Sequence, residues 1–188
     1  MQLILNFRNT VAIVAVVAGG YYCYQSVFAD SDSRDVAKLI RSHRNADSMR
    51  QLILRRRILS VYTSSQDYAT IVRALDHASP ATQALAVKVL AAKSERGAAP
   101  KLLEMLSDPG RADPVKEALA EAVATFRLRD AIPRLVELTD NAEAPGVRGA
   151  AHNALRDLTG AGGQVKLSEA ARQHWTLWLR TQQSIGGR

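Results

Sequence analysis

The chain has 188 residues and a net charge of +7; 47% of its residues are hydrophobic and 5% aromatic. This length allows about one domain with an appendage, and the apolar content excludes a disordered chain. The shortage of aromatic residues disfavours a β-sandwich, and the alanine-, leucine- and valine-rich composition predicts an all-α fold. The single cysteine, Cys23, excludes an internal disulfide, a cysteine-based zinc site and a CxxC redox pair.

The N-terminal segment, residues 1–29, predicts a membrane anchor or a signal peptide. Residues 9–29 carry no charge, and their 21 residues approach the roughly 20 that cross a bilayer as a helix. Arg8 precedes this stretch and aspartates follow it from Asp30 on, which favours a cytoplasmic N-terminus and an extracytoplasmic remainder. The alternative is cleavage after Ala29, which would leave a secreted or periplasmic protein.

Residues 30–65 predict a divergent N-terminal pair of helices. The first covers residues 33–43, and the second covers residues 49–62 with Asp47 as its cap.

Residues 66–160 repeat a helical pattern three times. Helices are predicted to start at Thr82, Val115 and Val147, which are 33 and then 32 residues apart. Counted from these starts, positions +3, +4, +7, +8 and +11 are apolar with one exception, and this spacing marks one face of a helix. Those positions hold Leu85, Ala86, Val89, Leu90 and Lys93; Ala118, Leu119, Ala122, Val123 and Phe126; and Ala150, Ala151, Ala154, Leu155 and Leu158.

A shorter helix precedes each of these, at residues 68–75, 98–106 and 131–138. An aspartate follows each one, and Asp76, Asp108 and Asp140 are 32 residues apart both times. Helical pairs at such a period predict an α-solenoid, because one pair cannot bury its apolar face alone.

The pattern resembles the HEAT repeat family. The similarity rests on first helices that begin with proline, turns that begin with aspartate, and the pairs Val115-Lys116 and Val147-Arg148. The first copy departs from it, with Thr82-Gln83 at that place. Residues 161–188, a glycine loop and a helix with Trp175 and Trp178, are similar to the end of many bacterial HEAT-repeat proteins, which implies a capping role.

No pattern in the chain predicts catalysis. The four histidines, of which His152 is expected at an exposed helix position, form no metal-binding motif. There is no Gly-rich phosphate loop after a strand and no nucleophile motif. We therefore expect no enzyme activity, no metal and no cofactor.

The second helices of the repeats are predicted to present a protein-binding face. Exposed polar side chains at two repeated positions, together with His152, are the candidates: Gln83, Lys116 and Arg148 at +1, and Lys88, Glu121 and Asn153 at +6. The recurring pairs Asp108 with Lys116 and Asp140 with Arg148 could instead link neighbouring repeats, and this structural interpretation is favoured.

Residues 34–57 are strongly basic and contain Arg55, Arg56 and Arg57 in succession. Three consecutive helical residues fan over about 200°, so they cannot form one flat phosphate-binding face. Contact with an anionic surface remains possible through this segment, and solvated arginines whose stems cover apolar surface are the alternative.

These patterns predict a non-enzymatic scaffold for protein–protein interaction, HEAT-like and tethered on the extracytoplasmic side of a membrane. One alternative is a HEAT-like accessory factor, of the lyase or chaperone type, for a partner protein that carries a cofactor. The other is a nucleic-acid-binding solenoid, which the export signal disfavours, so no nucleic acid is expected.

Overall fold

The computed structural model describes residues 34–44, 46–140, 142–161, 167–168 and 170–186, and all regular structure in these ranges is helical. The all-α prediction is therefore confirmed for the described part. The chain consists of two compact units, and the boundary between them lies between Thr63 and Ser64. The predicted anchor at residues 9–29 lies outside the described residues, and none of the described helices is long and apolar enough to cross a membrane.

The first unit contains helix α1 (Val36–Arg44) and helix α2 (Ser48–Val61), which pack against each other. As predicted, Asp47 caps α2, because its carboxylate accepts the N–H of Arg50 at 2.8 Å. His43 lies among the buried residues of α1. Burial, and then the charge of Arg55, lower the pKa of His43 to about 4.

The second unit is a stack of helical pairs. Its helices, in chain order, are α3 (Ser65–Ala74), α4 (Pro80–Ala92), α5 (Ala99–Ser107), α6 (Asp113–Thr125), α7 (Ile132–Glu137), α8 (Pro145–Thr159) and α9 (Ala171–Gly186). We call α3, α5 and α7 first helices and α4, α6 and α8 second helices. Each first helix packs on the second helix that follows it, and α6 lies between α4 and α8. This arrangement is an α-solenoid.

The second helices begin two residues before the predicted starts, at Pro80, Asp113 and Pro145. Proline fits the first turn because it lacks the N–H that would remain unpaired there. Ser79 occupies the N-cap of α4, but its side chain makes no capping hydrogen bond. The predicted apolar face is otherwise correct, because all of its apolar residues are buried except the half-buried Ala150.

Each second helix ends in a residue with left-handed backbone. Ser94 has a φ of 56°, Arg127 of 57° and Gly160 of 70°, and these residues follow one another at intervals of 33. The residue after Ser94 and the residue after Arg127 each donate a backbone N–H to the carbonyl five residues earlier, at 3.0 and 2.9 Å. This is the Schellman ending of a helix. A 3₁₀ helix follows both turns, Arg96–Ala98 and Arg129–Ala131, and leads into the next first helix.

The first helices are joined by a repeated contact in which a basic side chain reaches back to the end of the preceding first helix. Cations are favourable there because the helix macrodipole is negative at its C-terminus. The three contacts are Lys101 Nζ with Asp76 Oδ1 at 3.2 Å, Arg134 Nε with the Leu106 carbonyl at 3.0 Å, and Arg172 Nη1 with Asp140 Oδ2 at 2.7 Å. Since Arg172 belongs to α9, that helix takes the place of a fourth first helix.

Helix α9 is attached to α8 through a buried pair of rings. Trp175 is fully buried and His152 is 6% exposed. The indole Nε1–H of Trp175 donates to Nδ1 of His152 at 3.1 Å, and the two rings meet edge to face. Trp178 also lies edge to face against Trp175.

We expect Leu119→Ala and Leu155→Ala each to lower the free energy of unfolding by about 2–5 kcal/mol, because both side chains are fully buried in the second helices. Leu177→Ala is the matched control, since Leu177 is 60% exposed and its truncation should change stability by less than about 0.5 kcal/mol. Chemical denaturation of the three variants measures this. Equal costs at the buried and exposed positions would contradict the fold.

We expect the docking of α9 to weaken in acid. Burial, and then the charge of Arg156, lower the pKa of His152 below its ordinary value of 6.5. The unfolded chain therefore takes up a proton first, so stability is present above pH 6.5 and declines as the pH falls through that value. A proton on Nδ1 would also remove the acceptor of the Trp175 hydrogen bond.

Both tryptophans of the chain lie on α9, so fluorescence-detected melting reports on this helix. The melting temperature should fall between about pH 8 and pH 5, and it should fall less in His152→Gln, which offers an acceptor that does not titrate. His43 titrates in both proteins and cancels in the comparison. An equal fall in both proteins would show that His152 is not the responsible group.

Candidate functional site

The structure places two of the three +1 residues, Gln83 and Lys116, in contacts between repeats. Gln83 accepts a hydrogen bond from Arg111 at 3.3 Å, and Lys116 Nζ lies 2.8 and 3.1 Å from the two carboxylate oxygens of Glu143. Arg111 and Glu143 occupy the same place in successive turns, four residues before the valines that begin the repeated pattern. Gln83 and Lys116 are half-buried, as is Arg148 at the same position. Gln83 and Lys116 therefore join a second helix to the turn of the next repeat.

The predicted pair of Asp108 and Lys116 is wrong. Asp108 binds within its own turn, where it lies 3.0 Å from Arg111 Nε and accepts the N–H of Gly110 at 2.9 Å. Lys116 is only 12% exposed in its pair with Glu143. A charged pair does link neighbouring repeats, as expected, but the carboxylate that binds Lys116 is Glu143, from the turn before α8. The pairing of Asp140 with Arg148 stays a prediction, and Asp140 binds Arg172 of α9.

The exposed position predicted for His152 is also wrong, since the ring is buried against Trp175. The pattern within α8 could not reveal this, because the residue that covers His152 lies 23 positions later in the chain.

The +6 residues are accessible to solvent on the second helices, with Glu121 and Asn153 exposed and Lys88 half-buried. Lys88 Nζ is 3.7 Å from Glu121 Oε2, and these side chains are 35% and 58% exposed. Asn153 is exposed on α8. The three residues thus come from three neighbouring second helices. Their role in binding remains a prediction.

A groove of about 590 Å³ lies between α6 and α8 and brings two of these residues together. Its lining consists of three alanines and five polar residues: Ala124, Ala150 and Ala154, with Glu121, Thr125, Arg127, Asn153 and Asp157. Ala154 is buried and the other two alanines are half-buried, so small side chains leave the space between the helices. Both helices contribute a carboxylate.

We call the side chains that are bonded between neighbouring repeats seam residues: Gln83 with Arg111, Lys116 with Glu143, and Asp140 with Arg172. The polar side chains of the groove make fewer such contacts. Within the described part of the chain, the side chains of Arg127, Asn153 and Asp157 make no hydrogen bond or ion pair. Glu121 has only the 3.7 Å contact with Lys88. The seam residues, by contrast, are bonded at 2.7 to 3.3 Å.

Arg127 and Asp157 were missed as surface candidates by the sequence pattern. Asp157 is one turn beyond Asn153 on the same face of α8. Arg127 could have been found from Gly160, because a glycine 33 residues later marks a place in the repeat where left-handed backbone is required.

A second cavity, of about 610 Å³, lies on α9 next to Asp140. It is lined by Arg172, which already binds Asp140, and by the exposed Leu177 and Arg180. This surface is where the stack of first helices ends.

The three successive arginines fan around α2, with Arg56 exposed and Arg55 and Arg57 half-buried. Residues 34–63 contain eight lysines and arginines against Asp35 and Asp47, and so hold +6 of the chain's net charge of +7. Two apolar side chains of α2 are also exposed, Met49 at 67% and Leu52 at 37%.

Among the described residues, no group of three or more His, Cys, Asp or Glu side chains is placed to hold a metal ion.

Comparison with known proteins places the stack in a family. A family model described as HEAT repeats matches residues 68–156, which run from α3 into α8. No curated protein and no solved structure matches the chain. HEAT repeats commonly mediate protein–protein interaction, and the family is generally non-enzymatic. Residues 68–156 are therefore identified as HEAT repeats.

Proposed function

We propose that this protein is a non-enzymatic scaffold that binds a partner protein through the solvent-exposed side of its second helices. The groove between α6 and α8 is the main contact site. The observation that carries the proposal is that three polar side chains of this groove, Arg127, Asn153 and Asp157, have no partner within the described chain. Desolvating a polar group without a partner is costly, so a bound protein that supplies complementary groups would gain both affinity and specificity there.

The groove favours protein over nucleic acid. Glu121 and Asp157 would repel phosphates, and Arg127 is the one cation among the lining residues. Nucleic-acid binding therefore has its strongest support in residues 34–63, where the positive charge is concentrated. The accessory-factor alternative shares the same surface, and it differs in the partner, which would carry a cofactor.

We also propose that residues 9–29 tether the protein to a membrane, with the basic segment at residues 34–57 in contact with an anionic surface. The proposal rests on the uncharged stretch in the sequence and on the charge that follows it. The extracytoplasmic orientation rests on Arg8 before the stretch and the aspartates directly after it.

One feature of the sequence favours the opposite orientation, with the solenoid in the cytoplasm. Arg34, Lys38, Arg41 and Arg44 all follow the stretch within about 15–20 residues, and the positive-inside rule counts lysine and arginine while aspartate contributes little. The side of the membrane is thus a separate question from the binding function, and it needs its own experiment.

The binding proposal predicts different effects of groove and seam variants. Asn153→Ala and Asp157→Ala should weaken capture of the partner and leave the melting temperature unchanged, because neither side chain has a partner in the described chain. Lys116→Glu should lower the melting temperature, because it places two carboxylates face to face at the seam, and Lys116→Glu with Glu143→Lys should restore it.

Capture by the tagged full chain from a membrane extract of the host, compared among these variants, measures the first effect. Partners that survive both groove substitutions would refute the groove as the contact site. A chromophore or nucleic acid recovered with the protein, and lost in the groove variants, would favour the corresponding alternative.

The orientation is tested by labelling in intact cells. Cys23→Ser removes the single native cysteine, and Asp130→Cys introduces one at an exposed position. We expect a membrane-impermeant thiol reagent to label Asp130→Cys in intact cells if the solenoid is extracytoplasmic. Labelling only after the cells are lysed would place the solenoid in the cytoplasm, as the lysine and arginine count favours.

A further inference from the structure

We propose that the groove between α6 and α8 accepts a lysine side chain from an extended segment of the partner protein. This inference rests on the proposed function, because it names the chemistry that the same groove would recognise. Three features of the groove support the inference. They are the alanines that line it, the acceptor groups of Glu121, Asn153 and Asp157, and the cations of Lys88 and Arg127.

The floor fits the stem of a lysine. Ala124, Ala150 and Ala154 leave a depression without branched or aromatic side chains. A lysine stem is a chain of four methylene groups, which gains free energy by covering apolar surface while its charged end stays polar. A large aromatic side chain would find no matching apolar walls, because the other lining residues are polar.

The acceptors fit an ammonium group better than a guanidinium. Glu121 on α6 and Asp157 on α8 contribute a carboxylate each, and Asn153 adds an amide oxygen. An ammonium group has three donors that can point in different directions, which suits acceptors arriving from two helices. A guanidinium is planar and prefers both oxygens of one carboxylate.

The cations around the groove fit a single bound charge. Lys88 Nζ lies 3.7 Å from Glu121 Oε2, so it is an internal competitor of an incoming ammonium group at this carboxylate. Arg127 lines the same groove and would repel a second cation. Its guanidinium can instead donate to a backbone carbonyl of the incoming segment.

The test uses a peptide in place of the unidentified partner. The full chain, isotope-labelled and held in detergent micelles, is titrated with a glycine- and serine-rich heptapeptide that has lysine at its centre. Nuclear magnetic resonance follows the alanine methyl groups and the Asn153 side-chain amide. We expect saturable shifts at the groove, and binding weaker by about tenfold or more for the same peptide with norleucine, which keeps the stem and loses the charge.

Variants separate the groove from general acidity. Glu121→Gln with Asp157→Asn should abolish the saturable shifts, while Glu104→Gln with Asp113→Asn, which removes two exposed carboxylates elsewhere, should leave them unchanged. Lys88→Gln should tighten binding by on the order of twofold, because Glu121 then loses its internal cation.

Equal binding of the lysine and norleucine peptides, no saturable shift with either, or equal loss in the control double variant would overturn the inference. Tighter binding of an arginine peptide would reassign the groove to a guanidinium. The proposed function fails in a different way, when Asn153→Ala and Asp157→Ala leave capture of the natural partner unchanged. A partner lost in those variants, with no response to the lysine peptide, would overturn only the lysine assignment.

Discussion

Close packing of α6 against α8 is the contact on which the rest of the stack depends. Alanines suit such packing, because Ala118 and Ala122 on α6 and Ala151 on α8 are fully buried, and small side chains allow helices to lie close together. At the start of α8 the Glu117 side chain of α6 lies over Gly146, where a Cβ would overlap its carboxylate. Small side chains that join the helices at one level leave an unfilled groove at another, so the candidate site follows from the same packing that builds the stack.

The period of the repeat is set by how each second helix ends. Left-handed residues lie at intervals of 33, and after Ser94 and Arg127 a 3₁₀ helix leads into the next first helix. Two of the three residues at this position are not glycine, namely Ser94 and Arg127. Left-handed backbone costs a residue with a side chain roughly 1–2 kcal/mol. Arg127 therefore sits in a costly conformation that also places it at the groove. Such a position is a reasonable place to look for a functional side chain.

Sequence periodicity predicted the helical pairs, their order and nearly all of the buried face, because each of those features depends on spacing within one helix. It failed where burial depends on a neighbouring element. Lys116 looks exposed on a helical wheel, but the turn of the following repeat carries Glu143 to it. His152 looks exposed for the same reason, and a tryptophan from the closing helix covers it.

The groove itself could not be predicted, since it is an absence of side-chain volume between two helices. The alanines that make it were correctly identified as apolar face residues, and nothing in their spacing distinguishes a filled seam from an open one. Glu121 and Asn153 were predicted by exposure alone, and the structure brings these two to one cavity while it assigns Gln83 and Lys116 to the seams. The residues of the groove differ from Gln83 and Lys116 mainly in their contacts, because Gln83 and Lys116 are bonded to the turn of the next repeat.

The two units differ in net charge as well as in fold. Residues 34–63 hold nearly all of the net positive charge, whereas the groove of the second unit offers two carboxylates and a single cation. Long-range attraction to an anionic surface depends on summed charge and weakens with salt, while recognition in a groove depends on a few desolvated contacts and is screened much less. This division agrees with the two proposals, contact of the basic segment with an anionic surface and recognition of a partner in the groove. A chain that used one surface for both tasks would need a groove with the charge of α2, and such a groove would repel the lysine proposed for the groove between α6 and α8.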